Sequence, residues 1–432
     1  MSVGEQALSS ELSAQVEDRR RAANAEALAR LVGAEPVLVD VAPAGDVVPD
    51  MTPSTILTSG APLEWDEYTG GQRRAVLYAA VYEGLATDAE DAEAAIRSGR
   101  VRVRTTQQHA CIGSVAGIYT ASMPVLVVRD EAHGNTAFCN LYEGESRHRL
   151  NYGSYGDEVV RGLRWLEHVM GPLLAEALRR SGPIRLKPLM ARALRLGDEL
   201  HSRNTAATLL LTRELTPAFL DLETTEHSSA ARAVLEFLTR NEYAFLRVGM
   251  AAAKATADAA HGVPFSSVLT GMALNSREFA IRVSGLGDEW FRGLHPRLEG
   301  RFFEGFTADD AEWIGGESCV TETVGLGGFA QVCAPTLQAY QGGTTARMRE
   351  NNEAMYAITV GEHPDFLLPP LDFRGAPVGI DLFAVLRTGV VPVIDGGLAG
   401  RDGGQIGAGV LRPDLDCFAA AADAYGARYS TG

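Results

Sequence analysis

The stretch Gly197-Asp198-Glu199-Leu200-His201-Ser202-Arg203-Asn204 places two carboxylates, an imidazole, a guanidinium and an amide within eight residues. Glu199 or His201 could move a proton, and Arg203 with Asn204 could hold a small anionic substrate. Apolar runs flank the stretch, at 189–191 with Leu194 and Leu196 before it and at 206–211 after it. Such a setting concentrates charge only where each group finds a partner, because an unpaired buried charge is costly. Gly197 followed by Asp198 predicts a break, the glycine ending one helix and the aspartate capping the next. On that second helix Glu199 and Arg203 fall at i,i+4, and His201 and Asn204 at i,i+3. A capped helix start with a solvated salt bridge is the plain reading, and a polar pocket is the sharper one.

Other residues offer chemistry at a distance in sequence. Thr321-Glu322-Thr323-Val324-Gly325-Leu326-Gly327-Gly328 is a candidate anion cradle, since successive glycines expose backbone N–H groups. It is neither the dinucleotide fingerprint nor the P-loop, having no Gly-Lys-Ser/Thr, and a tight packing turn explains it equally well. Arg282 lies in an apolar strand and wants a carboxylate, from Glu278, Glu322 or a substrate. Lys254 is a single charge in an alanine-rich helix, either snorkelling outward or aimed at a buried anion. His109 and Cys111 could pair as base and nucleophile, although a buried inert thiol is far commoner. Asp372-Phe373-Arg374-Gly375 and Asp381 could be turn chemistry alone. His109, Glu199, His201 and Glu322 have no diagnostic metal spacing, so neither a metal nor a cofactor is expected.

The elements that must position these groups follow from the pattern of the whole chain. Its 432 residues exceed one ordinary core, and 46% apolar with 22% charged residues suits a packed globular protein. A net charge of −16, without a basic run, argues against nucleic acid. Five dispersed cysteines read as reduced thiols of a cytoplasmic protein. The polar, alanine-rich residues 1–29 do not form a signal peptide, and no apolar run approaches a membrane span.

Residues 1–105 read as a Rossmann-like α/β module: helix, the buried strand Pro36-Val37-Leu38-Val39-Asp40-Val41-Ala42-Pro43, and two further helices. Asp40 is expected at the strand's carboxyl end, where α/β folds place their sites. Residues 106–156 and 263–300 read as a mixed β-rich domain, with polar loops at 107–114 and from Gly134 to Gly144 that include Asn140. Residues 157–262 read as an antiparallel helical bundle inserted in the middle, with breaks at Ser181-Gly182-Pro183, Thr216-Pro217 and His261-Gly262. Residues 301–432 read as a C-terminal α+β domain after a linker-like stretch at 298–309, with glycine turns at 373–375, 395–397 and 403–409. The fold class expected is therefore α/β to α+β, multidomain.

Several of these stretches, taken in order, are similar to the YlbE-like family, which includes the oxamate carbamoyltransferase subunit AllG. They are residues 36–44, 122–125, Asn140 with Glu143-Gly144, 186–190, and 197–199 with His201, Arg203 and Asn204. They continue with 282–287, 321–323 with Gly325 and 327–329, 371–375 and 405–409. The likeness covers almost the whole chain, and the ordered set is specific where one motif alone is weak. It implies an oligomeric assembly with an FdrA-like partner, itself similar to acyl-CoA synthetases, and a further small subunit. The implied reaction moves a carbamoyl group between carbamoyl phosphate and oxamate, giving oxalurate and phosphate, in purine (allantoin) nitrogen catabolism.

Most of the candidates read from residue chemistry coincide with these stretches; His109 and Lys254 lie outside them. Glu199, His201 and Glu322 are the expected catalytic groups. His109, Asn140, Arg203, Asn204, Lys254, Arg282, Thr321, Thr323, Gly325, Gly327, Gly328 and Arg374 are the expected substrate contacts. The chain departs from the family pattern at 107–114. The family is richer in histidine there and carries Gly-Pro where this chain has Gly113-Ser114. An altered loop leaves room for a paralogue acting on another amide, amine or carboxylate, an acyl or carbamoyl transferase or ligase in specialised metabolism. A noncatalytic scaffold subunit for an FdrA-like partner is a third reading.

Overall fold

A computed structural model describes residues 14–223 and 228–429. The first part of the stretch read as leaderless, residues 1–13, lies outside these. The architecture is α+β. Its centre is a five-stranded sheet in the order Cys111–Ile112, Thr136–Asn140, Pro124–Asp130, Pro36–Pro43, Ile184–Arg185, antiparallel except for the first pair.

That sheet corrects the Rossmann-like reading of residues 1–105. Pro36–Pro43 pairs antiparallel on both sides, with partners from beyond residue 105. Asp40 sits at a bulge within it, its carboxylate accepting from Val41 N at 2.8 Å, and not at a strand end. What residues 1–105 do contain is one parallel crossover, Thr55–Thr58 beside Arg102–Thr105, with the helices Gly70–Tyr82 and Ala89–Arg97 between them. A run of apolar residues between prolines marks a buried strand but carries no information on its partner's direction.

Two four-stranded antiparallel sheets follow. One orders Trp290–Gly293, Phe279–Val283, Leu269–Asn275 and Gly315–Gly316; the other orders Arg297–Phe302, Gln405–Arg412, Ile394–Gly400 and Ala311–Glu312. The supposed linker at 298–309 therefore begins as a sheet-edge strand, and Asp395-Gly396-Gly397 lies inside a strand instead of a turn. The helices run Asp157–Trp165 through a π-helical turn into Gly171–Ser181, then Leu186–Arg195, Thr205–Glu223, Ser228–Arg240 and Ala244–Ala259. Pro217 does not break Thr205–Glu223. Ala244–Ala259 packs on Pro124–Asp130 and Thr136–Asn140, and nearly every residue of it is buried, so the helices share their core with the central sheet. No helix among the described residues is long and apolar enough to cross a membrane.

Candidate functional site

The stretch 197–204 is a loop and not a helix start. Leu186–Arg195 ends before it and the next helix begins only at Thr205. Gly197 has φ +102°, a conformation open to glycine at little cost, and this turns the chain back on itself. Asp198 is fully buried and caps the following helix from outside, its Oδ2 accepting from Ala207 N at 2.8 Å. Burial pushes its carboxyl up to about 6. Arg203 Nε donates to Gly197 O at 3.1 Å and lies 3.5 Å from Asp198 Oδ1. Glu199 makes no helical pair with Arg203. Its carboxylate accepts instead from the backbone N–H groups of His201, Ser202 and Arg203. Short polar segments bond their own backbone in this way in preference to helix.

The glycine turn at 325–328 is an anion cradle, and the chain supplies its own anion. Glu322 is fully buried, and its Oε1 accepts from Gly328 N and Asp395 N, each at 3.0 Å. Its Oε2 accepts from Thr321 Oγ1 at 2.9 Å. Gly327, at φ +58°, donates its N–H to Glu199 O at 2.7 Å. A Cβ there would stand 2.2 Å from Glu322 Oε1, so the turn requires glycine. The loop of Glu199 and the turn of Glu322 are thus tied directly together.

His201 bridges the two, its Nδ1 lying 2.8 Å from Glu322 Oε1. Burial lowers the imidazole's pKa, but the Glu322 carboxylate outweighs it and the net direction is upward. Asn204 Nδ2 donates to His201 O at 2.8 Å, steadying the loop.

A fourth acid, Asp395, completes the cluster. Its Oδ1 accepts from Gln331 Nε2 at 2.6 Å and from Gln341 Nε2 at 3.1 Å, and Gln341 also reaches Ser202 Oγ at 3.2 Å. Glu199 and Asp395 are both buried, and the charge of Asp395 acts on the Glu199 carboxyl. Burial, then the Asp395 charge, pushes Glu199 well above the carboxylate range. Burial, then Glu322, pushes Asp395 up to about 6.

These groups meet a cavity of about 390 Å³ lined by His201, Ser202 and Asp395 together with Tyr142, Arg149 and Arg247. Of the residues expected from sequence, the structure brings together Glu199, His201, Asn204, Thr321, Glu322, Gly327 and Gly328, with Arg203 at the edge. Only His201 among them lines the cavity.

The others lie elsewhere. Lys254 and Arg282 close on Asp258 at 2.8 and 2.6 Å, so the carboxylate that Arg282 demands is neither Glu278 nor Glu322. His109 Nδ1 bonds Pro49 O at 2.6 Å. Arg374 is exposed, paired with Glu362 at 2.6 Å and lying over Tyr356. Thr323 Oγ1 bonds Val320 O at 2.6 Å, and Gly325 turns at φ +87° against Pro377 O. Asn140 lies beside Arg247. The loop at 107–114 is held by Glu317, which accepts from Thr106 Oγ1, Gln107 Nε2, Gly113 N and Gly60 N.

Sequence reasoning missed Asp395, Gln331, Gln341, Arg149 and Arg247. Two of these left a signal. Asp395 follows the apolar Val393-Ile394, and Arg247 interrupts an apolar helix just as Lys254 does. Among the described residues no group of three or more His, Cys, Asp or Glu side chains is arranged to hold a metal ion.

The cavity is thus ringed by guanidinium, imidazole and carboxyl groups. The chain is a member of the family described as oxamate carbamoyltransferase subunit AllG, whose model matches residues 101–318. It is 37% identical over 407 residues to the oxamate carbamoyltransferase subunit AllG of Escherichia coli (strain K12), covering 93% of this chain and 96% of that one. It is 39% identical over 415 residues to the uncharacterized protein YahG of the same strain, covering 96% and 87% respectively. A crystal structure of a conserved protein of unknown function from Enterococcus faecalis V583 superposes with a TM-score of 0.92 at 39% identity, covering 95% of this chain and 99% of that one.

Proposed function

We propose that the chain is the AllG-like subunit of a carbamoyl-transferring enzyme, and that its cavity is where the carbamoyl group passes between phosphate and an amide nitrogen. The observation that carries this reading is His201. Its Nδ1 is bound by Glu322 and its pKa is raised. Its Nε2 makes no hydrogen bond among the described residues, and His201 is one of the residues that line the cavity. In phosphorolysis of oxalurate, a phosphate oxygen bonds to the carbamoyl carbon and the C–N bond breaks. Protonated His201 gives its proton to the departing amide nitrogen, so that oxamate and carbamoyl phosphate leave. In the synthetic direction neutral His201 takes that proton back, and Glu322 stabilises the imidazolium in both directions. An FdrA-like partner and a further small subunit complete the enzyme, which works in the cytoplasm in purine nitrogen catabolism.

One observation favours a second reading. Ser114, in the loop where the resemblance implies a proline, lines the cavity, which suits a paralogous acyl or carbamoyl transferase or ligase acting on a different amide. Phosphate-dependent cleavage of oxalurate by the purified chain, alone and with both partner subunits, separates the readings. The expected result is activity that His201→Ala lowers by about 10²–10⁴-fold. No cleavage in any mixture overturns the oxamate reading. Activity untouched by His201→Ala and Glu322→Gln makes the chain a noncatalytic scaffold.

A further inference from the structure

Arg247 is 5% exposed and has no carboxylate partner among the described residues. Its Nη1 donates to Asn140 Oδ1 at 3.3 Å, the neutral Cys139 thiol lies within its reach, and its Nε is buried without a partner. The other polar groups beside it carry no charge near neutral pH, since burial pushes the Cys139 thiol up to about 11 and the Tyr142 hydroxyl up to about 12. Arg149, which also acts on Tyr142, is in a similar position. It donates to Gly144 O at 2.8 Å and to Tyr142 Oη at 3.3 Å, lies over the Tyr152 ring, and keeps a buried Nε without a partner. The charge of Glu143 acts on Arg149, but no hydrogen bond joins the two among the described residues. The Glu143 oxygens accept from Leu150 N, Asn151 N and the Asn151 side chain. Both arginines are among the residues that line the cavity.

A guanidinium kept this far from water without a counter-charge is costly, and the cost is recovered when an anion arrives. With Nη1 engaged by Asn140, the edge of Arg247 left for a ligand is Nε with Nη2. Two donors in one plane match two coplanar oxygens through parallel bonds. We infer that Arg247, supported by Arg149, anchors a planar carboxylate of the substrate. This assignment rests on the cavity being the binding site, and it gives the site a substrate class: small amides or ureides that carry a carboxylate. The reactive end of such a ligand is then free to face His201.

Isothermal titration of the full chain with oxalate, and separately with inorganic phosphate, tests the anchor. Arg247→Met keeps the packing of the stem and removes the charge; Arg247→Lys keeps the charge and removes the fork. Both are expected to weaken oxalate binding by about 10–100-fold and to leave phosphate affinity within about twofold. Ligand-free Arg247→Met should melt at or above the wild-type temperature, because an uncompensated charge has gone. Wild-type protein that takes up no millimolar oxalate, or oxalate affinity held within about twofold in both variants, overturns the anchor. So does a loss confined to phosphate, which would make this a phosphate site. The transferase reading fails separately, through absent oxalurate cleavage by the assembled enzyme, and that result leaves the oxalate titration standing.

Discussion

The helix Ala244–Ala259 carries two buried cations whose surroundings differ in kind. Lys254 meets Asp258 at 2.8 Å, and Arg282 from a neighbouring strand meets the same carboxylate at 2.6 Å. Arg247, nearer the helix start, meets an amide oxygen and a neutral thiol, with no carboxylate bonded to it among the described residues, and lines a cavity. Residue type does not separate these cases, since either charge would look equally odd in an alanine-rich helix. What separates them is whether the fold itself provides the opposing charge. A cluster completed from within holds elements together, whereas an incomplete one waits for something from solution.

The sharpest way to break this comparison is to remove the completing charge. Asp258→Ala leaves Lys254 and Arg282 buried without their carboxylate, and should cost about 3–5 kcal/mol of folding stability in urea denaturation. If Arg247→Met costs more than Asp258→Ala, the distinction between the two regions collapses.

A smaller effect, with opposite signs in the two regions, lies in pH. Burial alone would raise Asp258, but Lys254 and Arg282 bring its carboxyl down to about 2. Its folded value is thus below the unfolded one, so its contribution is present above about pH 4 and is lost as pH falls through about 2. Asp395, raised by burial and then by Glu322 to about 6, behaves in reverse. Its contribution is present below about pH 4 and is lost as pH rises through about 6. Urea midpoints measured across this range should therefore decline between about pH 4 and 6, and Asp395→Asn should flatten that decline. A slope unchanged in Asp395→Asn would mean that Asp395 does not titrate in this range.

The sequence carried more of the composition of the site than of its geometry. Gly197–Asn204 and Thr321–Gly328 stood out because charge and glycine are rare between apolar runs, and they do meet. Their contact links residues more than a hundred positions apart, and no local periodicity encodes that. The helical spacing of Glu199 and Arg203 misled because side-chain bonds to the backbone compete with helix at a stretch so polar. Asp395 read as a turn because two glycines follow it, yet strand pairing with Val410 absorbs them. The antiparallel partners of Pro36–Pro43 were likewise invisible, being supplied from residues 124–130 and 184–185. Much of the helical order was legible, since 3.6-residue patterning is a local property.

The carboxylate of Glu322, resting in a nest of N–H groups from Gly328 and Asp395 with the Thr321 hydroxyl and the His201 ring around it, has a chemical counterpart outside the chain. Truncation to Glu322→Gly would leave a hollow the size and charge of a formate ion. Turnover lost by that variant should return in proportion to added formate and not to added chloride. Such complementation would show that the histidine needs an anion at that spot and not a covalent tether to it.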